Sequence, residues 1–167
     1  MIPWNKGLTK HNNKSLLKTS TTLANKERSN FWEWQQKNKK EYAILQKSSL
    51  LAELYGNILG DGCIEKFPRT DKLTISFHRK EVEHLSRVFD IISTLFKKEP
   101  KIRYRKNSQC NDIYIYQKYL AKRLDFPYGR KLDYDLKIPN WIKDNNEYLK
   151  YCLKGLFETD GNWFIDK

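Results

Sequence analysis

A nine-residue pattern that ends in Asp-Gly occurs twice in this sequence. The first copy, LYGNILGDG, covers residues 54–62, and the second, LKGLFETDG, covers residues 153–161. Both copies have Leu at the first place, Gly at the third, a small residue at the seventh and Asp at the eighth. The two aspartates, Asp61 and Asp160, are candidate ligands for a divalent metal ion, because such cations bind carboxylate oxygens.

The small residues of the two copies predict closely packed helices. Gly56 and Gly60 lie four residues apart, as do Gly155 and Thr159, so each copy would present a smooth face on a helix. Two such faces allow helix backbones to approach unusually closely. Helices packed in this way would bring the two aspartates to one point.

Each copy also predicts how its helix ends. Gly62 and Gly161 suit the left-handed backbone position that follows many helices. The aspartate before each glycine is unfavourable against the helix dipole, and two such carboxylates repel each other. A bound cation would offset both effects, so the arrangement favours a metal site.

The elements between the two copies predict an α+β fold. Ser48 or Ser49 can cap the first motif helix, and alternating apolar residues predict strands, whereas residues 82–96 have helical spacing. The predicted order is helix, two strands, helix, two strands, helix, with antiparallel hairpins and all helices on one sheet face. The predicted strands are residues 63–67, 72–79, 101–106 and 112–118, followed by a short helix over 119–124 and the second motif helix from Asn146.

The sheet face opposite the helices is predicted to be polar and free of other elements. Its side chains include Lys72, Thr74, Ser76, His78, Lys101, Arg103 and Arg105.

Composition limits the partners and the compartment. The chain has 167 residues and a formal net charge of +12, which favours nucleic acid or an anionic membrane surface as partner. The sequence has no apolar stretch that could span a bilayer and no signal-peptide pattern, so we expect an intracellular protein of the cytoplasm, nucleoid or an organelle. The three cysteines form no CxxC pair, which predicts reduced thiols rather than a zinc site.

Residues 1–46 form a distinct basic arm. The first fifty residues hold ten basic and three acidic side chains, and a helix is expected from about Ser29 to Lys47, with Trp32 and Trp34 as anchors. The domain organisation predicted is an arm over 1–46, a complete repeat over 47–145, and the start of a second repeat over 146–167.

These residues resemble the LAGLIDADG homing endonucleases. The second copy has Glu158 at place six, as in the family pattern, and the first has the variant Leu59. Two further segments, 126–131 and 137–142, resemble the connector before the second motif in two-repeat members. The start of the arm, residues 3–8, resembles short DNA-binding modules attached to homing nucleases of phages and organelles.

The resemblance implies a site-specific endonuclease that makes Mg²⁺-dependent double-strand breaks during intron homing. Asp61 and Asp160 would hold the metal, each aspartate serving one DNA strand, and the sheet would lie in the major groove of double-stranded DNA. A two-stranded ribbon fits this groove, where Lys and Arg read guanine edges or hold phosphates. The DNA-binding candidates on the polar sheet face are Lys72, Thr74, Ser76, His78, Lys101, Arg103 and Arg105. A supporting lysine is usual in the family; Lys131 is the best match, and Lys118 and Lys122 compete with it.

Other side chains near the motifs are expected to have lesser roles. Glu158 would serve the structure or the outer surroundings of the metal. His78 would face the DNA groove, and His84 would be an exposed helix residue.

Two alternatives and one departure from the family pattern remain. The fold could serve a non-cleaving nucleic-acid-binding protein, such as an intron maturase or a transcription regulator; an intein remnant is disfavoured because no Cys or Ser begins the chain.

Only residues 161–167 follow Asp160, so the second repeat is expected to lack its sheet. We therefore expect weak or absent cleavage by this chain alone, and a second chain could complete the missing repeat.

Overall fold

A computed structural model describes residues 6–25, 33–34, 36–37, 42 and 44–160. The chain divides into two compact units, residues 1–41 and 42–167. The division falls before residue 46, the end predicted for the arm, because Leu45 is buried in the core of the second unit.

The first unit contains helix α1, Lys14–Ala24. Asn13 caps α1 through its side-chain oxygen, which accepts hydrogen bonds from the backbone N–H of Ser15 at 2.9 Å and of Leu16 at 3.2 Å. No residue of α1 is buried. Sequence analysis missed this helix because its residues lack apolar periodicity, and a local cap defines its start.

The helix predicted from Ser29 to Lys47 falls mostly outside the described residues, as does Trp32. Residues 44–48 are described and have no helical structure, so the predicted end is wrong. Trp34 is 62% exposed.

The second unit has the predicted order of helix, two strands, helix, two strands and helix. Helix α2 (Ser49–Asp61) precedes β1 (Gly62–Lys66) and β2 (Asp71–His78); helix α3 (Val82–Phe96) precedes β3 (Lys101–Tyr104) and β4 (Cys110–Gln117). The short helices α4 (Leu120–Leu124) and α5 (Asn140–Lys143), with a 3-10 turn at Lys131–Asp133 between them, lead to α6 (Asn146–Asp160). The α+β fold prediction is confirmed.

The four strands form one antiparallel sheet in the order β1-β2-β4-β3. Alternation along β2 places Leu73, Ile75 and Phe77 in the core, and β4 contributes Ile113 and Ile115 opposite them. The helices cover this apolar face, because α2, α3 and the sheet share one hydrophobic core. The other face of the sheet is left with the polar side chains.

Helix α2 lies centrally in this core. Its start is fixed by Ser48, whose hydroxyl oxygen accepts a hydrogen bond from the backbone N–H of Leu51 at 3.2 Å, as the sequence predicted. Leu54 and Ile58 are fully buried.

In the part of the chain that the structure describes, no helix is long and apolar enough to span a membrane.

Candidate active site and nucleic-acid interface

The two motif helices, α2 and α6, are in backbone contact. A Cβ atom added to Gly56 would overlap the carbonyl oxygen of Cys152 and would lie 2.9 Å from the backbone nitrogen of Leu156. A Cβ atom added to Gly155 would overlap the carbonyl oxygen of Glu53. Only glycine fits at these two crossing points, so the contact depends on the glycines of both motif copies.

The C-terminal ends of the same helices meet. A Cβ atom added to Gly60 would overlap the hydroxyl of Thr159 and would lie 3.4 Å from Oδ2 of Asp160. The Thr159 hydroxyl donates to the carbonyl oxygens of its own helix, at 3.2 Å for Gly155 and 2.9 Å for Leu156. The Asp160 carboxylate therefore lies against the residue that precedes Asp61.

The two carboxylates interact electrostatically at this junction. The pKa of Asp61 is raised above its ordinary value, first by partial desolvation and next by the negative charge of Asp160; the positive charge of Lys131 opposes this shift. Asp61 and Asp160 are both exposed. A divalent cation would relieve their repulsion, since the charge it supplies is opposite to theirs.

The last glycine of the first motif copy has a different role from the one predicted. Gly62 has φ −88° and ψ 154°, which is extended backbone and not the left-handed conformation. A Cβ atom at this position would overlap the Cα of Ile58. Glycine is needed because the chain passes directly from α2 into β1 across the last helical turn. Gly161 lies outside the described residues.

Lys131 reaches the end of α2 from the connector. Its ammonium group donates hydrogen bonds to the carbonyl oxygens of Leu59, at 2.9 Å, and Gly60. A cation at this position offsets the negative end of the helix dipole. The competing candidates, Lys118 and Lys122, are exposed residues beyond β4 and in α4.

The two carboxylates at the helix ends fit a divalent cation. Among residues 6–25, 33–34, 36–37, 42 and 44–160, no cluster of three or more His, Cys, Asp or Glu side chains could hold a metal. Proteins commonly bind Mg²⁺ through one or two carboxylates, and water and substrate phosphates complete its coordination. The two aspartates, with their mutual repulsion, are such a pair.

Sequence analysis missed a buried ionic cluster that involves both motif helices. The Glu53 side chain is completely buried in α2 and accepts hydrogen bonds from Nε and Nη2 of Arg87 in α3, the latter at 2.8 Å. Lys154 of α6 lies 3.5 Å from the same carboxylate. The three side chains connect α2, α3 and α6, which fixes the crossing of the motif helices.

The prediction that His84 is exposed is wrong. Its side chain is 9% exposed, and its Nε2 lies 2.6 Å from Oδ1 of the buried Asn57 and 3.4 Å from Oε2 of Glu158. Burial is the main cause of the lowered pKa of His84. Glu158 thus contacts His84 and Lys154 of the structural framework.

The polar sheet face, formed by outward-pointing residues of β1 to β4 and by Arg105, is less free than the sequence suggests. Lys72 is 13% exposed and pairs with Glu65 at 3.0 Å. The Thr74 hydroxyl is buried and makes no hydrogen bond within the described part of the chain. His78 and Lys101 are exposed, and Ser76 is half-buried.

On the polar sheet face, the structure differs most from the sequence prediction at β3 and β4, where the predicted basic side chains are paired with a buried acid. Arg103 and Arg105 both donate to the carboxylate of Asp112, whose side chain is completely buried. Burial would raise the pKa of Asp112, but hydrogen bonds from Arg105, Arg103 and Ser76 more than offset it and lower this pKa. Asp112 could have been found from the sequence only as a position paired with Ser76 and Arg103, which requires the strand register.

Aromatic residues also occupy the polar sheet face and were not singled out in the sequence. The rings of Tyr114 and Tyr116 lie 5.8 Å apart, and Phe67 lies 5.9 Å from Tyr116. The ammonium of Lys72 lies 5.6 Å from the centre of the Tyr114 ring.

Comparisons with known proteins were made on sequence and on structure. No protein-family model matches the sequence, and no curated protein matches it. Solved structures of I-DmoI do match the fold. One is an I-DmoI variant in complex with its nicked target DNA and Mn, with a TM-score of 0.47, 17% identity, and coverage of 68% of this chain and 62% of that chain.

Two further matches are described as mesophilic variants of the homing endonuclease I-DmoI and as I-DmoI in complex with DNA and Ca. Each has a TM-score of 0.46 and 16% identity and covers 68% of this chain; the shares of the I-DmoI chains are 62% and 58%. The matched region spans less than two thirds of the I-DmoI chain. Homing endonucleases are the class of protein that the two motif copies resemble.

Proposed function

We propose that this chain is a homing endonuclease of the LAGLIDADG type, or the larger part of one, that makes Mg²⁺-dependent double-strand breaks at a specific DNA site. The observation that carries the proposal is the junction of the motif helices. A Cβ atom added to Gly60 would lie 3.4 Å from Oδ2 of Asp160, so the ends of α2 and α6 that carry the two acids lie next to each other.

The two aspartates would hold the divalent cation, and each would serve one strand of the duplex. Mg²⁺ supplies two kinds of chemistry when bound, because it lowers the pKa of water and neutralises charge on the phosphate. Lys131 would hold the end of α2 in place through the carbonyl oxygens of Leu59 and Gly60. Its positive charge would also stabilise negative charge that develops on the phosphate nearby.

The polar sheet face would contact the major groove of double-stranded DNA. Its candidate contacts are Lys72, Thr74, Ser76, His78, Lys101, Arg103 and Arg105. The basic arm would add phosphate contacts, since Lys14 and Lys18 of α1 are exposed and such contacts supply affinity without sequence preference.

A non-cleaving DNA- or RNA-binding role is the less favoured alternative. Binding alone gives no reason to place two repelling carboxylates at joined helix ends, where the charge of Asp160 raises the pKa of Asp61. A metal-dependent reaction does give such a reason.

The test is strand-resolved cleavage of a supercoiled plasmid that carries DNA flanking the gene, with Mg²⁺. Because cleavage by this chain alone is expected to be weak, the full chain is used in molar excess with long incubation, so that slow cutting is detected. Asp61→Asn and Asp160→Asn are each expected to abolish cutting of one strand, so the product changes from linear to nicked. Each variant should bind the plasmid as the wild type does, because neither aspartate lies on the polar sheet face.

Asp135→Asn is the matched control, since Asp135 is 82% exposed and pairs only with the exposed Lys137 among the ion pairs of the described residues. The control should cut both strands at the wild-type rate, and EDTA should stop all cutting. Unchanged cutting of both strands by Asp61→Asn and Asp160→Asn would show that the metal assignment is wrong.

A further inference from the structure

The most constrained side chain on the polar sheet face is an acid. Asp112 in β4 pairs with Ser76 of β2 on one side and with Arg103 of β3 on the other. Its side chain is completely buried, although it points to the face opposite the core. The side chains of Arg103 and Arg105 shield it from solvent.

Among the described residues, three neighbours make the hydrogen bonds of this carboxylate. Arg103 donates to Oδ2 from Nε at 2.9 Å and from Nη2 at 2.5 Å. Arg105 donates to Oδ2 from Nε at 2.9 Å and to Oδ1 from Nη2 at 2.6 Å. The Ser76 hydroxyl donates to Oδ1 at 2.9 Å.

The two guanidinium groups differ in which N–H groups are not used in contacts to Asp112 and Ser76. Arg105 uses a second Nη2 hydrogen on the Ser76 hydroxyl at 3.3 Å, so its Nη1 is the donor left over by its contacts within the described residues. Arg103 uses one hydrogen of Nη2, so Nη1 and the other Nη2 hydrogen remain side by side. Two parallel N–H groups are the donors that read O6 and N7 of guanine in the major groove. The Arg103 side chain is 54% exposed, and that of Arg105 is 40% exposed.

We propose that Asp112 is a specificity-determining positioning residue: it holds Arg103 as a guanine reader and Arg105 as a single-donor contact to the same DNA segment. This inference rests on the proposed function, since it requires that the polar sheet face contacts DNA.

Two physical effects of the Asp112 carboxylate support this role. An unconstrained arginine has many side-chain conformations, and ordering it on binding costs free energy; Asp112 orders both arginines beforehand. Its negative charge also offsets one of the two positive charges, which weakens attraction to phosphates in general. Both effects favour base recognition over non-specific binding.

The experiment selects sites from a random-sequence duplex library with the full chain and compares the base preferences of variants. The wild type is expected to select guanine at one or more positions. Asp112→Asn should reduce discrimination at a guanine position by about 10-fold, because the amide has one acceptor oxygen instead of two and its NH₂ group would face a guanidinium donor. Its affinity for non-selected duplex should be equal or higher, with a steeper dependence on salt.

Two further variants separate positioning from folding and from charge. Arg103→Lys keeps the charge but has no planar fork, so it should lose preference at the same position as Asp112→Asn. Glu65→Gln removes one acidic charge from the polar sheet face and releases Lys72, so it should leave that position unchanged. Thermal unfolding of each variant shows whether it is folded, and Arg103→Lys keeps Asp112 in place if Asp112→Asn does not fold.

The outcomes distinguish the inference from the function it rests on. Loss of the same guanine preference in Asp112→Asn and Arg103→Lys, with Glu65→Gln unaffected, supports the positioning role. Guanine preferences equal to those of the wild type in both variants would overturn the inference and leave the nuclease proposal intact. A wild-type chain that binds no duplex would overturn both.

Discussion

Replacing Gly155 with alanine is expected to destabilise the protein by about 3 kcal/mol. In an ordinary helix interior the same change is stabilising by about 1 kcal/mol, because alanine has the higher helix propensity. At Gly155 the added methyl group would overlap the carbonyl oxygen of Glu53 and lie 2.7 Å from Nδ2 of Asn57. Helices α2 and α6 must then separate, so the packing penalty exceeds the gain in propensity.

Urea unfolding followed by circular dichroism measures this loss as a lower transition midpoint. Lys150→Ala serves as the control, since Lys150 is exposed on the same helix, and its effect should stay within about 0.5 kcal/mol. A Gly155→Ala variant as stable as the wild type would mean that the two motif helices do not have backbone contact.

The second large effect is expected from Arg87→Ala. Without Arg87, the completely buried Glu53 carboxylate keeps only Lys154 at 3.5 Å as an ionic partner among the described residues. Loss of one partner of a buried pair costs about 3–5 kcal/mol. Because Arg87 is itself 42% exposed and Lys154 remains, we expect a loss of about 2–3 kcal/mol.

A double-mutant cycle identifies the cause of this loss. Glu53→Gln removes the buried charge, so combining it with Arg87→Ala should recover part of the stability lost in Arg87→Ala alone. Lys137→Ala is the control: its pair with Asp135 spans 2.7 Å, but both side chains are more than 70% exposed, and its loss should be below about 0.5 kcal/mol. Equal losses for Arg87→Ala and Lys137→Ala would rule out a buried-charge effect.

The elements with strong periodicity were predictable from the sequence. The strict alternation of Leu73, Ile75 and Phe77 fixed strand β2 and its buried face, and helical spacing over residues 82–96 fixed α3. These patterns suffice because burial of one face decides both the type of element and its orientation. The small residues of the two motif copies likewise indicated which helices pack together.

The buried charges could not be predicted because their partners lie on other elements of the fold. Glu53 contacts Arg87 across 34 residues, and the partners of Asp112 lie on β2, on β3 and just after β3. A single sequence gives no strand register or helix crossing, so these acids resemble ordinary surface residues. The predicted left-handed turn at Gly62 was wrong for a related reason, since the requirement for glycine comes from the nearby Ile58 Cα and not from a positive φ.

The most direct test of the account is whether Asp61 and Asp160 bind one divalent cation together. Mn²⁺ binding to the full chain can be measured by electron paramagnetic resonance, with and without a short duplex. We predict one site whose affinity falls about 10-fold or more in both Asp61→Asn and Asp160→Asn and not in Asp135→Asn. Acidification should weaken this site at a pH above the ordinary pKa of an aspartate, because the pKa of Asp61 is raised. Equal Mn²⁺ affinity in the wild type and both variants would contradict the account.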